Sequence, residues 1–137
     1  MSGVTLAEAT AVVAAAQARA VEIGRTVCIA VFDSGGHLVA FARMDGSPTL
    51  SVEIAQAKAS GTALSGFDGN LLLKLYDSVP AKFAALGQLS GRPIFPGPGS
   101  LPLHRDGVVV GAIGVSGSPT ADDDHLCAEA GVAAFPG

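Results

Sequence analysis

Two stretches of the chain alternate apolar runs with a short polar turn, and both predict β-hairpins. In residues 27–43 the apolar runs flank Asp33-Ser34-Gly35-Gly36. β-Branched and aromatic side chains pack well on a pleated sheet, and paired glycines accept the positive φ of a tight turn. Both faces of these strands are largely apolar, which predicts a central strand pair covered on both sides.

The second hairpin spans residues 101–115 around Asp106-Gly107, a pair typical of a type I′ turn. Residues 108–115 are again apolar on both faces, which predicts another central strand. Gly111 and Gly114 lie in this strand, where the lack of a side chain permits another part of the protein to approach closely.

A helical periodicity precedes, separates and follows the hairpins. Thr5 and Glu8 have the spacing of a capping box at the start of a helix that runs to about Gly24. Pro48 suits the first turn of a second helix over residues 49–64, whose narrow face of small residues is expected to lie on the sheet. Shorter helices are expected over residues 71–75 and 80–86, and a last one from residues 120–124 to about 131. This order predicts an α+β domain with one antiparallel sheet flanked by helices.

Composition narrows the class of protein. The chain has 137 residues, 49% of them hydrophobic and 15% charged, which indicates one globular domain. A net charge of −4 with no basic patch argues against nucleic-acid binding. We expect a cytoplasmic protein with no membrane association, because neither a signal peptide nor a membrane-spanning run is evident. Cys28 and Cys127 are expected to be reduced and buried.

Three longer motifs resemble one protein family. They are VFDSGGHLVAFARMDG, the pattern S-x-E-I-A-x-x-K-A-S-G-T-A, and GVVVGAIGVSGSPTADDD continuing into DHLCAEAG. Together they resemble the family of GlcG and the haem-binding protein HbpS, which includes the C-terminal domain of PduO-type proteins. The resemblance covers residues 4–135, least well over residues 65–92. It implies a profilin-like fold of about five strands and a homo-oligomer, from dimer to octamer.

The resemblance also bears on cofactors. Some members bind haem, and several are linked to haem degradation or redox sensing. Members that use an axial histidine from the first helix carry it in the segment equivalent to residues 5–23, where this chain has no histidine, methionine or cysteine. We therefore expect that no cofactor is required, and haem is one of the ligands that the sequence still allows.

Lys58 and Glu53 are the candidate catalytic residues of the second helix. Lys58 matches the lysine of the family motif, and burial on the sheet side would lower its pKa and suit it to a general base, a Schiff base or a carboxylate-binding group. The alternative is a salt-bridged structural lysine. Glu53 lies about 140° around the helix from Lys58, so the two need not converge; it is either an acid–base group or a solvated carboxylate. Arg43 is expected to form an ion pair with Glu53 or Asp45, or else to bind an acid group.

A loop rich in proline and glycine, residues 90–102, is the second candidate site. It contains four of the eight prolines, so a fixed loop is expected rather than a domain linker. Backbone N–H groups of Gly97 and Gly99 are candidates for binding an anion, with Phe95 and Leu101 as apolar walls.

The histidines give weaker candidates. His104, beside the loop, is a candidate acid–base group or haem ligand, whereas His37 is expected to be an exposed turn residue. His125 and Cys127 lie about 200° apart on their helix, so no metal site is expected.

The sequence and the family resemblance are compatible with two main functions. One is small-molecule binding of the GlcG/HbpS type, with haem or a small organic acid or aromatic as ligand, in a catabolic or redox context. The other is a cofactor-free lyase, isomerase or hydratase in which Lys58 and Glu53 move protons. A third hypothesis is that the chain is an oligomeric accessory protein without small-molecule chemistry.

Overall fold

The computed structural model describes residues 3–137 as one antiparallel sheet with helices on both faces. The strand order is β2-β1-β4-β3. This confirms the α+β class, although residues 3–137 contain four strands where about five were expected. The elements are α1 Leu6–Glu22, β1 Cys28–Asp33, β2 Leu38–Arg43, α2 Ser51–Ser65, α3 Gly69–Ser78, α4 Pro80–Ser90, β3 Ser100–Arg105, β4 Val108–Ser116 and α5 Ala121–Ala133.

The two hairpins join through their inner strands. β1 pairs with β4, so these two are central and almost wholly buried, whereas β2 and β3 form the edges. The expectation that both strands of the first hairpin are central is right for β1 and wrong for β2, whose residues are half-exposed or exposed. Apolar faces alone did not show which strand would gain a second neighbour.

The helices form two unequal layers. α1 and α5 pack together over one face of the sheet, and α2 alone covers β1 and β4 on the other. The face under α1 and α5 carries the larger core, which includes Val27, Ile29, Val31, Ile113 and Val115. The face under α2 is lined mostly by small side chains, with Phe32 as the large one, so this helix lies close to the sheet.

α3 and α4 form a helical pair beside this sandwich. Asp68 caps α3 by accepting a hydrogen bond from the N–H of Leu71 at 2.8 Å. Tyr76 of α3 meets Phe83 of α4 edge to face, with 5.6 Å between ring centroids. α4 packs chiefly on α3, and the pair as a whole buries few side chains. Both helices were predicted, but each is longer than its apolar run indicated.

Candidate functional site

Lys58 lies inside the protein, where it connects the two helical layers. Its side chain projects from α2, and the residue is only 3% exposed. Nζ donates to the carbonyl oxygen of Val115 at 2.9 Å and lies 3.4 Å from Oδ2 of Asp124 on α5. Asp124 is equally buried, and its Oδ1 accepts a hydrogen bond from the N–H of Ser118 at 3.0 Å. The ion pair therefore joins helices that cover opposite faces of the sheet.

The electrostatics of Lys58 follow from this burial. Loss of hydration lowers the pKa of Lys58, and the nearby Asp124 carboxylate opposes that shift. Gly99 closes the site, because a Cβ added to it would lie 2.9 Å from the Lys58 Nζ. Lys58 has the expected lowered pKa, but its amine is enclosed by protein. This geometry is that of the salt-bridged structural lysine.

The loop of residues 90–102 is attached to neighbouring elements by backbone hydrogen bonds at Gly97 and Gly99. The N–H of Gly97 donates to the carbonyl oxygen of Gly69 at 3.2 Å, and the carbonyl oxygen of Gly99 accepts from Val115 at 2.8 Å. Leu101 packs against the core under α1 and α5, whereas Phe95 is exposed. Phe95 and Leu101 therefore lie in different surroundings. The N–H of Gly97 is thus engaged within the protein in this arrangement, and anion binding by Gly97 and Gly99 stays a prediction.

Arg43 and Glu53 line the same open polar cleft of 450 Å³, together with Asp45 and Thr49. Within residues 3–137 Arg43 has no carboxylate at ion-pair distance, so the expected pair with Glu53 or Asp45 is not formed. Its position at the end of an exposed edge strand explains this, since solvated pairs gain little. His104 is exposed on β3, at the opposite edge of the sheet from Arg43.

A second, largely apolar cleft of 230 Å³ lies between β1 and α2. Phe32 and Ala57 contribute apolar wall, Glu53 is shared with the polar cleft, and Arg92 supplies a positive charge. The Ser60 hydroxyl donates to the carbonyl oxygen of Pro93 at 3.3 Å and so attaches the loop to α2. The cleft is completed by Gln56 and Pro93.

Arg92 is held in this cleft by the turn of the first hairpin. Its Nη1 donates to the carbonyl oxygen of Gly35 at 3.2 Å and also to that of Gly36. Gly36 has a φ of 79°, and a Cβ there would overlap the guanidinium, so glycine is required at this position. The sequence reasoning missed Arg92; the available signal was one arginine beside the prolines of the loop.

Comparisons with known proteins identify the family. Residues 4–133 match the family model described as "Haem degrading protein HbpS-like". The chain belongs to this HbpS-like family. Protein GlcG of Escherichia coli K12 is 33% identical over 108 residues, which cover 79% of this chain and 77% of GlcG.

Solved structures of the HbpS-like fold superpose on almost the whole chain. A double mutant of Streptomyces reticuli HbpS gives a TM-score of 0.87 at 30% identity, covering 100% of this chain and 90% of that one. The structure named PduOC:Heme Complex gives 0.86 at 22% identity, covering 98% and 96%. The second likeness shows the fold alone.

The HbpS-like family raises the question whether these clefts suit haem iron. Protein ligands of haem iron are histidine, cysteine, methionine or tyrosine side chains. The apolar cleft has none, and in the polar cleft the Met44 sulfur accepts a hydrogen bond from the N–H of Val27 at 3.4 Å. Cys28 is buried against the hydroxyl of Ser51, 3.3 Å from its sulfur. These residues do not fit an axially ligated iron; they fit an apolar body with an acid group.

The remaining metal-binding side chains are also dispersed. Burial raises the pKa of Cys127 to about 11, which disfavours the thiolate that a metal needs. His125 lies 4.0 Å from Glu129 on the same helix. Within residues 3–137 no three histidine, cysteine, aspartate or glutamate side chains are grouped to hold an ion. Every helix in this part of the chain is too short or too polar to cross a bilayer.

Proposed function

We propose that this HbpS-like protein binds a flat, largely apolar molecule that carries a carboxylate, in the cleft between α2 and β1. The observation that carries the proposal is an apolar cleft with a positioned guanidinium in its wall. Haem and its iron-free porphyrin belong to this chemical class, as do smaller aromatic acids. The family description supports a porphyrin as the first ligand to test.

The apolar wall supplies binding energy for the flat body of such a ligand. Phe32 offers an aromatic face, and Ala57 leaves space beside it. Removing apolar surface from water contributes about 25 cal/mol per Å² before the costs of association. At 230 Å³ the cleft is smaller than a typical ligand site of ~300–1,000 Å³. One chain therefore accommodates a small aromatic acid, or one edge of a porphyrin.

Arg92 supplies recognition of the acid group. A guanidinium is planar and always charged, and it binds a carboxylate through two parallel hydrogen bonds. The hairpin turn engages Nη1, so Nε and Nη2 retain donors for a ligand. Because the turn fixes the side chain in advance, less conformational entropy is lost when the ligand binds.

The enzyme alternative has weaker support. Lys58 is enclosed by Val115, Asp124 and Gly99, whereas Glu53 is exposed and lines the clefts on the other side of α2. The two groups cannot act on one substrate in this arrangement. A ligand-binding role accords better with these positions.

Titrations with haemin, iron-free protoporphyrin IX and 2-naphthoate test the proposal. We expect haemin and protoporphyrin to bind with affinities within about threefold of each other, because no side chain of the cleft ligates iron. Arg92→Met should weaken binding by about tenfold or more, since a charge-assisted hydrogen bond contributes about 1.5–3 kcal/mol. Arg19→Met, on α1 over the other face, is the matched control and should bind like the wild type.

Any of three results would contradict this function. The first is haemin bound a hundredfold more tightly than protoporphyrin, which would require an iron ligand. The second is no binding of any of the three probes, and the third is binding that Arg92→Met leaves unchanged.

A further inference from the structure

One face of α2 lines the apolar cleft along much of its length. The helix residues in this lining share one side of α2, because they recur at intervals of three or four positions. They are Glu53, Gln56, Ala57 and Ser60. Glu53 lies in the first turn, and Ser60 follows about 10 Å further along the helix axis. The two ends of the cleft are therefore set by different turns of the helix.

Arg92 lies at the Ser60 end of this lining. Pro93, the next residue in the chain, accepts the hydrogen bond from the Ser60 hydroxyl at 3.3 Å. A Cβ added to Gly36 would lie 3.1 Å from Cζ of Arg92 and 3.1 Å from Cδ2 of Leu64, in the last turn of α2. The guanidinium is therefore beside the C-terminal part of the helix, away from its first turn.

Neither charge in the cleft is neutralised by an ion pair. Within residues 3–137 Arg92 and Glu53 have no oppositely charged side chain at ion-pair distance. The acid of the hairpin turn, Asp33, is engaged locally, because its carboxylate accepts from the N–H groups of Gly35 and His37. The cleft thus has a positive charge at one end and a negative charge at the other.

The surroundings of Glu53 keep its end of the cleft negative. The other charged residues of the adjoining polar cleft are Arg43 and Asp45, one of each sign. Two acids and one base therefore surround this end, which favours a cation over a second anion. Glu53 is exposed, so solvent screens its interactions and limits the size of the effect.

We propose that the apolar cleft selects its ligand by charge at both ends, with a carboxylate at Arg92 and an ammonium group at Glu53. The ligand class is an aromatic acid that carries an amine at its far end, and Glu53 is the residue that determines this specificity. The inference rests on the proposed function, since it requires a carboxylate bound at Arg92. A ligand with a second carboxylate at its far end is repelled by Glu53.

Three naphthalene acids of the same shape test this selection. The far end is uncharged in 2-naphthoate, carries an ammonium in 6-(aminomethyl)-2-naphthoate, and carries a second carboxylate in naphthalene-2,6-dicarboxylate. In calorimetric titrations at low salt, we expect the ammonium compound to bind about three- to fivefold more tightly than 2-naphthoate, as an ion pair at an exposed carboxylate allows. The dicarboxylate should bind more weakly than 2-naphthoate, and added salt should reduce both differences.

Glu53→Gln removes the charge and keeps the shape of the side chain. The three compounds should then bind this variant within about twofold of one another. Glu22→Gln is the matched control, because it also removes one negative charge but lies at the end of α1, over the other face of the sheet. It should retain the wild-type ranking. Circular dichroism checks that both variants fold.

Failure of this inference is distinguishable from failure of the proposed function. If 2-naphthoate binds and Arg92→Met weakens it, but the ammonium compound gains nothing or Glu53→Gln keeps its advantage, only the charge selection is overturned. Absence of binding by all three naphthalene acids also overturns the inference, and the porphyrin titrations then decide the proposed function separately.

Discussion

The side chain of Lys58 reaches from the layer of α2 to that of α5, where its amine forms an ion pair with Asp124. Removing both charges from water costs several kcal/mol, and the direct pair with its hydrogen bonds from Ser118 and to Val115 offsets that cost. The pair thus acts as a structural connection whose two members depend on each other.

Lys58→Met should therefore lower the free energy of unfolding by about 3–5 kcal/mol, because Asp124 is left as a buried, unpaired charge. Lys58→Met/Asp124→Asn should recover much of this loss, since the amide oxygen still accepts from the Ser118 N–H. Urea titrations give both values. Arg19→Met removes one member of the exposed Arg19–Glu22 pair and should cost at most about 1 kcal/mol. If Lys58→Met lowered the free energy of unfolding as little as Arg19→Met does, that result would contradict a buried ion pair.

At the scale of elements, the contact of α2 with β4 depends on the absence of a side chain at Gly114. A Cβ there would lie 2.2 Å from the carbonyl oxygen of Ala55 and 2.6 Å from the nitrogen of Ala59. Both neighbours are backbone atoms, so they move only if the helix moves. The close approach of helix and sheet in turn positions the cleft residues of α2.

Two glycine-to-alanine substitutions should consequently change stability in opposite directions. Gly114→Ala should destabilise the protein by about 1–3 kcal/mol, because α2 must shift away from the sheet. Gly87→Ala, in α4, meets nothing closer than 3.6 Å and should stabilise by about 0.5–1 kcal/mol through helix propensity. Thermal unfolding compares the two variants. If Gly114→Ala raised stability as much as Gly87→Ala, α2 would have adjusted to the added methyl group without cost.

At the scale of the whole molecule, one cluster joins both ends of the chain to the sheet. Glu8 of α1 accepts hydrogen bonds from Arg105 of β3 at 2.7 and 3.0 Å, while its side chain also completes the capping box with Thr5. The Arg105 guanidinium lies 5.3 Å from the ring centroid of Phe135. Hydrogen bonds from Arg105, then from the Thr5 backbone, lower the pKa of Glu8 from 4.5 to about 2.

This pKa predicts a defined part of the acid unfolding. Because the pKa is lower in the folded chain, the contribution of Glu8 to stability is present above pH 4.5 and is lost as the pH falls towards 2. Glu8→Gln should be less stable than the wild type at neutral pH, and the two urea midpoints should converge on acidification. Glu22→Gln, at an exposed glutamate, serves as the control. Parallel profiles for Glu8→Gln and the wild type would contradict the assignment.

The residues themselves specified most of the local structure. Thr5 and Glu8 cap α1 as their spacing indicated, and Asp106 and Gly107 both adopt the positive φ of the predicted turn. Each of these features depends on groups a few residues apart, so a linear pattern contains the necessary information. The order of helices and hairpins, and with it the α+β class, followed for the same reason.

Tertiary structure decided everything that depends on residues far apart in the chain. Asp124 lies 66 positions after Lys58, and Arg92 lies 56 after Gly36, so no local pattern showed either pair. The ladder between β1 and β4 likewise made β2 an edge strand. By itself the sequence determined the elements and the family. Only packing determined that Lys58 is enclosed and that Arg92 lines the cleft, because burial and charge pairing are properties of the assembled layers.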